Sequence, residues 1–296
     1  MDGKRFVVAV VADREGLGGG RGRKRLLGVA LLGVCLSAAL LSSACGASGM
    51  AGKAANHGAS KGGAGSAAYG GLGHLPQGSD QVVLDPANFT TRIDNPYWPM
   101  VPGDRWVYRE TDQGTRYDVE VTVTDRTRMI ANGIKARIIH DVVSHNGQPV
   151  EITYDWYAQD KAGNVWYLGE DTAEYENGKV TSRAGSFESD VDGAQAGIIM
   201  PAHPKDGMAY RQEYYKNEAE DKAEVLSTEE QVEVPFGHFT GALMTKDLVP
   251  PEPRISEYKL YAKNVGPVLD VQTSGGSSRE ELISYTHGNY SGSGKG

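Results

Sequence analysis

Five acidic side chains between positions 170 and 192 have the types and spacing to do chemistry. Glu170, Asp171, Glu188, Asp190 and Asp192 could gather around a calcium ion, which takes about six to eight oxygen ligands from carboxylates, carbonyls and water. Asp190-Val191-Asp192-Gly193 starts like a calcium loop, but Ala194 and Gln195 follow and Pro201 fills the twelfth position, so an EF-hand is excluded. The competing reading of the five is a solvated acidic loop. Transition metals are worse served. His140 and His145 are an odd number of residues apart on one strand and so face opposite ways, and His203 and His238 stand alone beside Pro204 and Gly237. Nucleophilic catalysis has no foothold, because neither a G-x-S-x-G elbow nor an H-E-x-x-H helix is present. A glycosidase-like carboxylate pair would leave no distinguishing mark among so many acids. The chain reads as a non-enzyme without a catalytic residue, and calcium is the one cofactor it could take.

The second candidate is aromatic. If the loop Asp160-Lys161-Ala162-Gly163-Asn164 joins two strands symmetrically, Tyr157 lies across from Tyr167 and Trp156 across from Leu168. Neighbouring residues on a strand point to opposite faces, so one pair is core and the other is exposed or lines a concavity. Tyr154 shares the Trp156 face, which makes the tryptophan side the expected core. Tyr157 and Tyr167 would then form a platform for a sugar or an apolar ligand, with ordinary cross-strand packing as the alternative.

The elements that must position these residues are strands. Tyr117, Val119, Val121 and Val123 alternate with Asp118, Glu120, Thr122 and Thr124, and Val150, Ile152, Tyr154 and Trp156 alternate with Glu151, Thr153, Asp155 and Tyr157. Strict alternation is the period of a half-buried strand. Asn-Gly at 132–133, 146–147 and 177–178 marks hairpin turns, since both residues tolerate positive φ. The stretch 216–230 suits an exposed helix or the wet face of strands, and strands fit the surroundings better. Hairpins without intervening helices give an all-β, mostly antiparallel domain over 81–288, followed by a disordered tail at 289–296.

A different chemistry belongs to Cys45. Arg21-Gly22-Arg23-Lys24-Arg25 precedes an uncharged stretch from Leu26 to Ala44, the layout of a secretory signal peptide over 1–44. Leu41-Ser42-Ser43-Ala44-Cys45 resembles a bacterial lipobox, with leucine one place further from the cysteine than in the commonest form. It implies cleavage after Ala44 and lipidation of Cys45. An ordinary signal cut near Ala44, or an uncleaved anchor, would use the same apolar stretch. Cys35 lies within that stretch, so a chain beginning at Cys45 has no partner for a disulfide. Eleven Gly, eight Ala and four Ser among residues 46–80 make 45–80 a lipidated cysteine followed by a flexible linker spanning roughly 33 Å.

Two segments carry a family resemblance. Val234-Pro235-Phe236-Gly237-His238-Phe239 and Tyr261-Ala262-Lys263-Asn264-Val265-Gly266-Pro267-Val268 are similar to the V-P-x-G-x-F and Y-A-x-x-V-G-x-V signatures of TapB-like secreted bacterial β proteins of unknown function. The resemblance implies a strongly curved sheet or open barrel and transfers no site residue.

Charge completes the picture. Residues 81–296 hold 34 acidic and 21 basic groups, a net −13 behind a basic leader. That excludes nucleic acid as a partner, since phosphate binding needs a basic surface, and it would hold a tethered domain off an anionic membrane. The expectation is an exported lipoprotein, anchored by lipid to the outer face of the cell membrane, whose non-enzymatic β domain binds a small molecule, a hydrophobe among the candidates, or an envelope partner. A calcium- or carbohydrate-binding module is the second reading, and a carboxylate-dependent hydrolase the third.

Overall fold

A computed structural model describes residues 75–288. Ala44, Cys45 and the tail 289–296 lie outside the described residues. The chain is all-β and antiparallel, as the alternation and the Asn-Gly pairs require. After a short 3-10 turn at Pro86–Asn88 come β1 (Phe89–Thr90), β2 (Arg105–Asp112), β3 (Thr115–Met129), β4 (Lys135–His145), β5 (Gln148–Asp160) and β6 (Val165–Glu176). Short pieces follow: β7 (Lys179–Ser182), β8 (Phe187–Glu188), β9 (Gln195–Met200), β10 (Ala209–Arg211) and β11 (Glu213–Tyr214). The last five are long again: β12 (Lys222–Val234), β13 (Gly237–Leu248), β14 (Ser256–Ala262), β15 (Gly266–Ser274) and β16 (Arg279–Thr286).

The sheet runs β10-β12-β13-β14-β15-β16-β2-β3-β4-β5-β6-β9-β11. Its two ends are one stretch of chain. β10 pairs with β12, β11 pairs with β9, and only Gln212 separates β10 from β11, so the sheet curls into a nearly closed barrel with its seam at 209–214. Closure removes the exposed edges that an open sheet would present. A Cβ on Gly197 of β9 would collide with the Gln212 and Arg211 carbonyls, so only glycine lets the chain cross itself there. All three Asn-Gly pairs lie in turns, with positive φ at Asn146, Gly147, Asn177, Gly178 and Gly133. The 216–230 stretch is a turn followed by most of β12.

The segment before β1 already belongs to the fold. Leu75 packs against the core, and Gln77 Nε2 donates to Ala209 O at 2.6 Å. Arg211 is the bolt of the seam. Its backbone N donates to Pro76 O at 2.7 Å, while its buried guanidinium donates to Gly78 O and Asp80 O, each at 2.7 Å, and to Ala196 O at 2.6 Å. Residues 76–80 are therefore bonded to β10 and to the Arg211 guanidinium.

One end of the barrel has an apolar floor. Trp98 packs its ring 5.9 Å from Tyr157 and 5.8 Å from Tyr261, next to Met100, Trp106, Val121 and Val123. Above that floor acids are mixed with the apolar side chains of the interior.

Candidate functional site: an acidic barrel interior

The inward face of β5 is Glu151, Thr153, Asp155 and Tyr157, all buried, while Ile152 and Tyr154 are only half-buried. This inverts the expectation from the sequence. Alternation fixes which residues share a face but not which face is inside, and a closed barrel offers two surfaces that can be covered. Trp156 is buried as well, beneath the Arg128 guanidinium at 4.0 Å on the outer side. Trp166 is buried against Phe89, 6.0 Å away edge-on.

Other strands repeat the pattern. β2 turns Trp106, Tyr108, Glu110 and Asp112 inward; β4 contributes Asp141; β14 and β15 contribute Glu257, Lys259 and Asp270; β16 contributes Glu280. Glu280 lies directly opposite both Glu110 and Asp270, and Asp247 lies opposite Glu257. Thirteen buried Asp and Glu stand against three buried basic residues, Arg137, Arg211 and Lys259, among the described residues. Residues 81–288 hold 34 acidic and 20 basic groups, so the surface keeps 21 and 17, nearly balanced. The negative charge of the body is mostly inside.

A bulge brings the two best-defined acids together. Gly169 has φ +137°, and a Cβ there would reach the Trp156 ring at 2.9 Å. The register slips at this point, so Asp155 faces Glu170 and Tyr157 faces Tyr167 although Tyr167 and Glu170 are three residues apart. Tyr167 Oη then donates toward Asp155 Oδ1 at 2.7 Å and Glu170 Oε2 at 2.8 Å. Burial pushes the Asp155 carboxyl up to about 7, against the hydrogen bonds from Tyr167 and Tyr157 that favour its ionised form. Glu151 is raised to about 8 by burial and by Glu174 across the ladder. Burial, then neighbouring carboxylates, hold Asp141, Glu170, Glu213, Asp270 and Glu280 well above the ordinary range. Glu213 is 1 % exposed and neither carboxyl oxygen has a hydrogen-bond partner.

Lys259 is the one buried lysine among the described residues. Its Nζ lies 3.3 Å from Asp247, 3.7 Å from Asp270 and 3.8 Å from Glu257. Burial favours the neutral amine, but these three carboxylates outweigh it and raise the lysine well above its usual value.

The residues picked from the sequence fall as follows. Tyr157 and Tyr167 are register partners, with rings stacked at 4.8 Å and 20°. Both are fully buried, so the platform faces the barrel interior and not solvent. The five metal candidates do not converge. Glu170 points inward; Asp171 pairs with Arg183 at 2.5 Å; Glu188 accepts from Arg128 at 2.5 Å and from the Ala131 amide at 2.8 Å. Asp190 and Asp192 are exposed in a turn with positive φ. No group of three or more His, Cys, Asp or Glu able to hold a metal ion occurs among the described residues. Of the buried acids, Glu151 and Asp155 fall on the polar side of an alternating strand, and the others come from strands far apart in sequence. The available signal was an acid on an otherwise apolar face at similar height in several strands: Glu110 beside Trp106 and Tyr108, Asp141 between Ile139 and Val143, Glu280 beside Leu282.

No protein-family profile matches the chain, and no curated protein matches it. The chain is similar to two solved structures. One, from Bacteroides fragilis, is described as an exported protein with a YmcC-like fold; it is 15% identical, with a TM-score of 0.37 over 64% of this chain and 99% of that one. The other, from Parabacteroides distasonis and described as a lipoprotein, is 13% identical, with a TM-score of 0.35 over 64% of this chain and 98% of that one. Likeness this distant carries nothing about function. The two signature segments turn out to be hairpins: Val234–Phe239 makes the β12–β13 turn and Tyr261–Val268 the β14–β15 turn.

Proposed function

We propose that this chain is an exported envelope protein, tethered by lipid at Cys45, whose barrel is a non-enzymatic binding domain for small cations taken into its acidic interior. The observation that carries the reading is the imbalance of thirteen buried carboxyl groups against three buried basic residues, two of which spend their guanidinium groups on backbone carbonyls. A low-dielectric interior with that excess of carboxyl groups over basic groups favours the entry of positive charge, as protons or as ions. A hydrophobic ligand is not favoured. The cavity at the apolar floor measures about 10 Å³, against several hundred Å³ for a carried ligand, and the hollow of about 560 Å³ at Thr115, Arg116, Asp118, His145 and Asn146 is lined by polar residues. Calcium is not favoured either, because no group of three or more acids able to hold a metal ion occurs among the described residues and calcium needs many oxygens.

Two experiments test the reading. In a bacterial host the full chain takes radiolabelled palmitate and fractionates with membranes, and Cys45→Ala loses the label and the membrane association; labelling that survives the substitution refutes the tether. Glu280→Gln removes a buried carboxyl whose strand neighbours Glu110 and Asp270 can accept from the new amide. It raises the urea midpoint at pH 8 if the interior is short of positive charge, and a lower or unchanged midpoint refutes that.

A further inference from the structure

We infer that the cavity between Asp141 and Asp155 is a binding site for one small monovalent inorganic cation, about the size of sodium. The inference rests on the reading of the interior as a cation-binding element and names where the ion sits.

Geometry comes first. Asp141 pairs with Thr153 and Ile139 pairs with Asp155, so the two acids are diagonal neighbours on the inner face of β4 and β5. Diagonal neighbours lie about 7–8 Å apart, which leaves room for one particle between their carboxylates. A cavity of about 10 Å³ opens there, which is the room one water-sized occupant needs. Asp141, Asp155 and Tyr157 supply its polar wall, and Trp98 and Trp106 line it from the floor.

The donors are unevenly used. Asp155 receives the Tyr167 hydroxyl, but Asp141 Oδ1 has no hydrogen-bond partner although the residue is only 2 % exposed. The other charged groups acting on Asp141 are acids: Asp155 itself, Glu151 and Glu110, with Glu280 close by. The buried cations are engaged elsewhere. Lys259 sits among Asp247, Asp270 and Glu257, and Arg137, which pairs with Tyr157 along the ladder, gives its guanidinium to the carbonyls of Thr91, Thr124, Asp125 and Arg126. Two carboxylates, a phenol and aromatic walls are too few oxygens for calcium but suit a singly charged ion, with the indole rings adding cation–π attraction.

The test is thermal unfolding of the barrel at pH 8 and equal ionic strength in sodium chloride, potassium chloride or choline chloride, choline being too large for the cavity. The wild-type midpoint is expected to lie several degrees higher in sodium or potassium than in choline, and to saturate with concentration. Asp141→Asn and Asp155→Asn should each abolish the difference between salts, and Glu233→Gln, on the exposed face of β12, should keep it. Equal wild-type midpoints in all three salts overturn the site, as does a difference that survives in both asparagine variants. If the salts are equal while Glu280→Gln still stabilises, the site falls and the broader reading stands; if Glu280→Gln fails to stabilise, the broader reading falls.

Discussion

Raising the pH from 5 to 8 should weaken this fold, and Glu151 lets the effect be sized. Its carboxyl is 2 % exposed, sits across from Glu174, and is raised from 4.5 to about 8. A folded-state pKa above the unfolded value means that the folded chain binds the proton more tightly. The stabilisation is complete below about pH 4.5 and is lost as pH rises through 8. Between pH 5 and 8 this single group removes about 3 kcal/mol, at about 1.4 kcal/mol for each tenfold change in the linkage ratio. Native domains hold only about 5–15 kcal/mol in total, so the loss would be easily read. Asp155, raised to about 7, and the raised Glu170, Glu213, Asp270 and Glu280 act in the same direction.

Two groups oppose it weakly. His140 is lowered by burial and by Arg126, so its share of stability grows as pH rises past its folded value, and Glu120, lowered by Arg105, loses its share only in acid. Glu120 is exposed and His140 only half-buried, and neither can offset several fully buried acids. The assay is urea unfolding of the wild type and Glu151→Gln at pH 5, 6, 7 and 8 in choline chloride. The wild-type stability should fall steadily, and the variant's fall should be smaller by about 3 kcal/mol. A wild type as stable at pH 8 as at pH 5, or a variant with an unchanged slope, would refute a protonated interior.

Three further outcomes follow from the packing. Lys259→Met leaves Asp247, Asp270 and Glu257 without their shared cation and should cost about 3–5 kcal/mol at pH 8, and clearly less at pH 5, measured by urea unfolding. Gly169→Ala forces a Cβ against the Trp156 ring at a φ of +137° and should destabilise by about 2 kcal/mol or more, with loss of the near-ultraviolet dichroism of the stacked aromatics. Arg211→Met strips the seam of its bonds to Gly78, Asp80 and Ala196, and should raise amide hydrogen exchange at 209–214 and 195–198 before the rest of the barrel.

What the sequence disclosed was local. Strict alternation in β3 gave both the strand and its buried face, because Val119, Val121 and Val123 are apolar and their neighbours are not. The Asn-Gly turns and the facing of Tyr157 with Tyr167 were legible for the same reason: turn chemistry and loop symmetry are set within a few residues. The polarity of β5 was not legible. Its two faces are each half apolar, and the choice between them depends on Trp156 and Trp166 finding cover outside the barrel, under Arg128 and Phe89. Nor could the site be assembled from one strand, since Asp141, Asp155, Glu170 and Glu280 come from four, and Glu170 reaches the interior only through the slip at Gly169.

The placement of charge alters what the tether implies. A body of net −13 on its surface would be repelled by an anionic membrane along the whole length of its linker. With thirteen acids inside, the exterior is close to neutral and repulsion is small, so the position of the barrel above a membrane would be set by the linker's span and not by electrostatics. The segment before β1 is held at a particular place. Residues 76–80 are bonded to β10 and to the Arg211 guanidinium, across the shortest strand pairings of the barrel. A pull on the N-terminal segment would therefore act first on the seam.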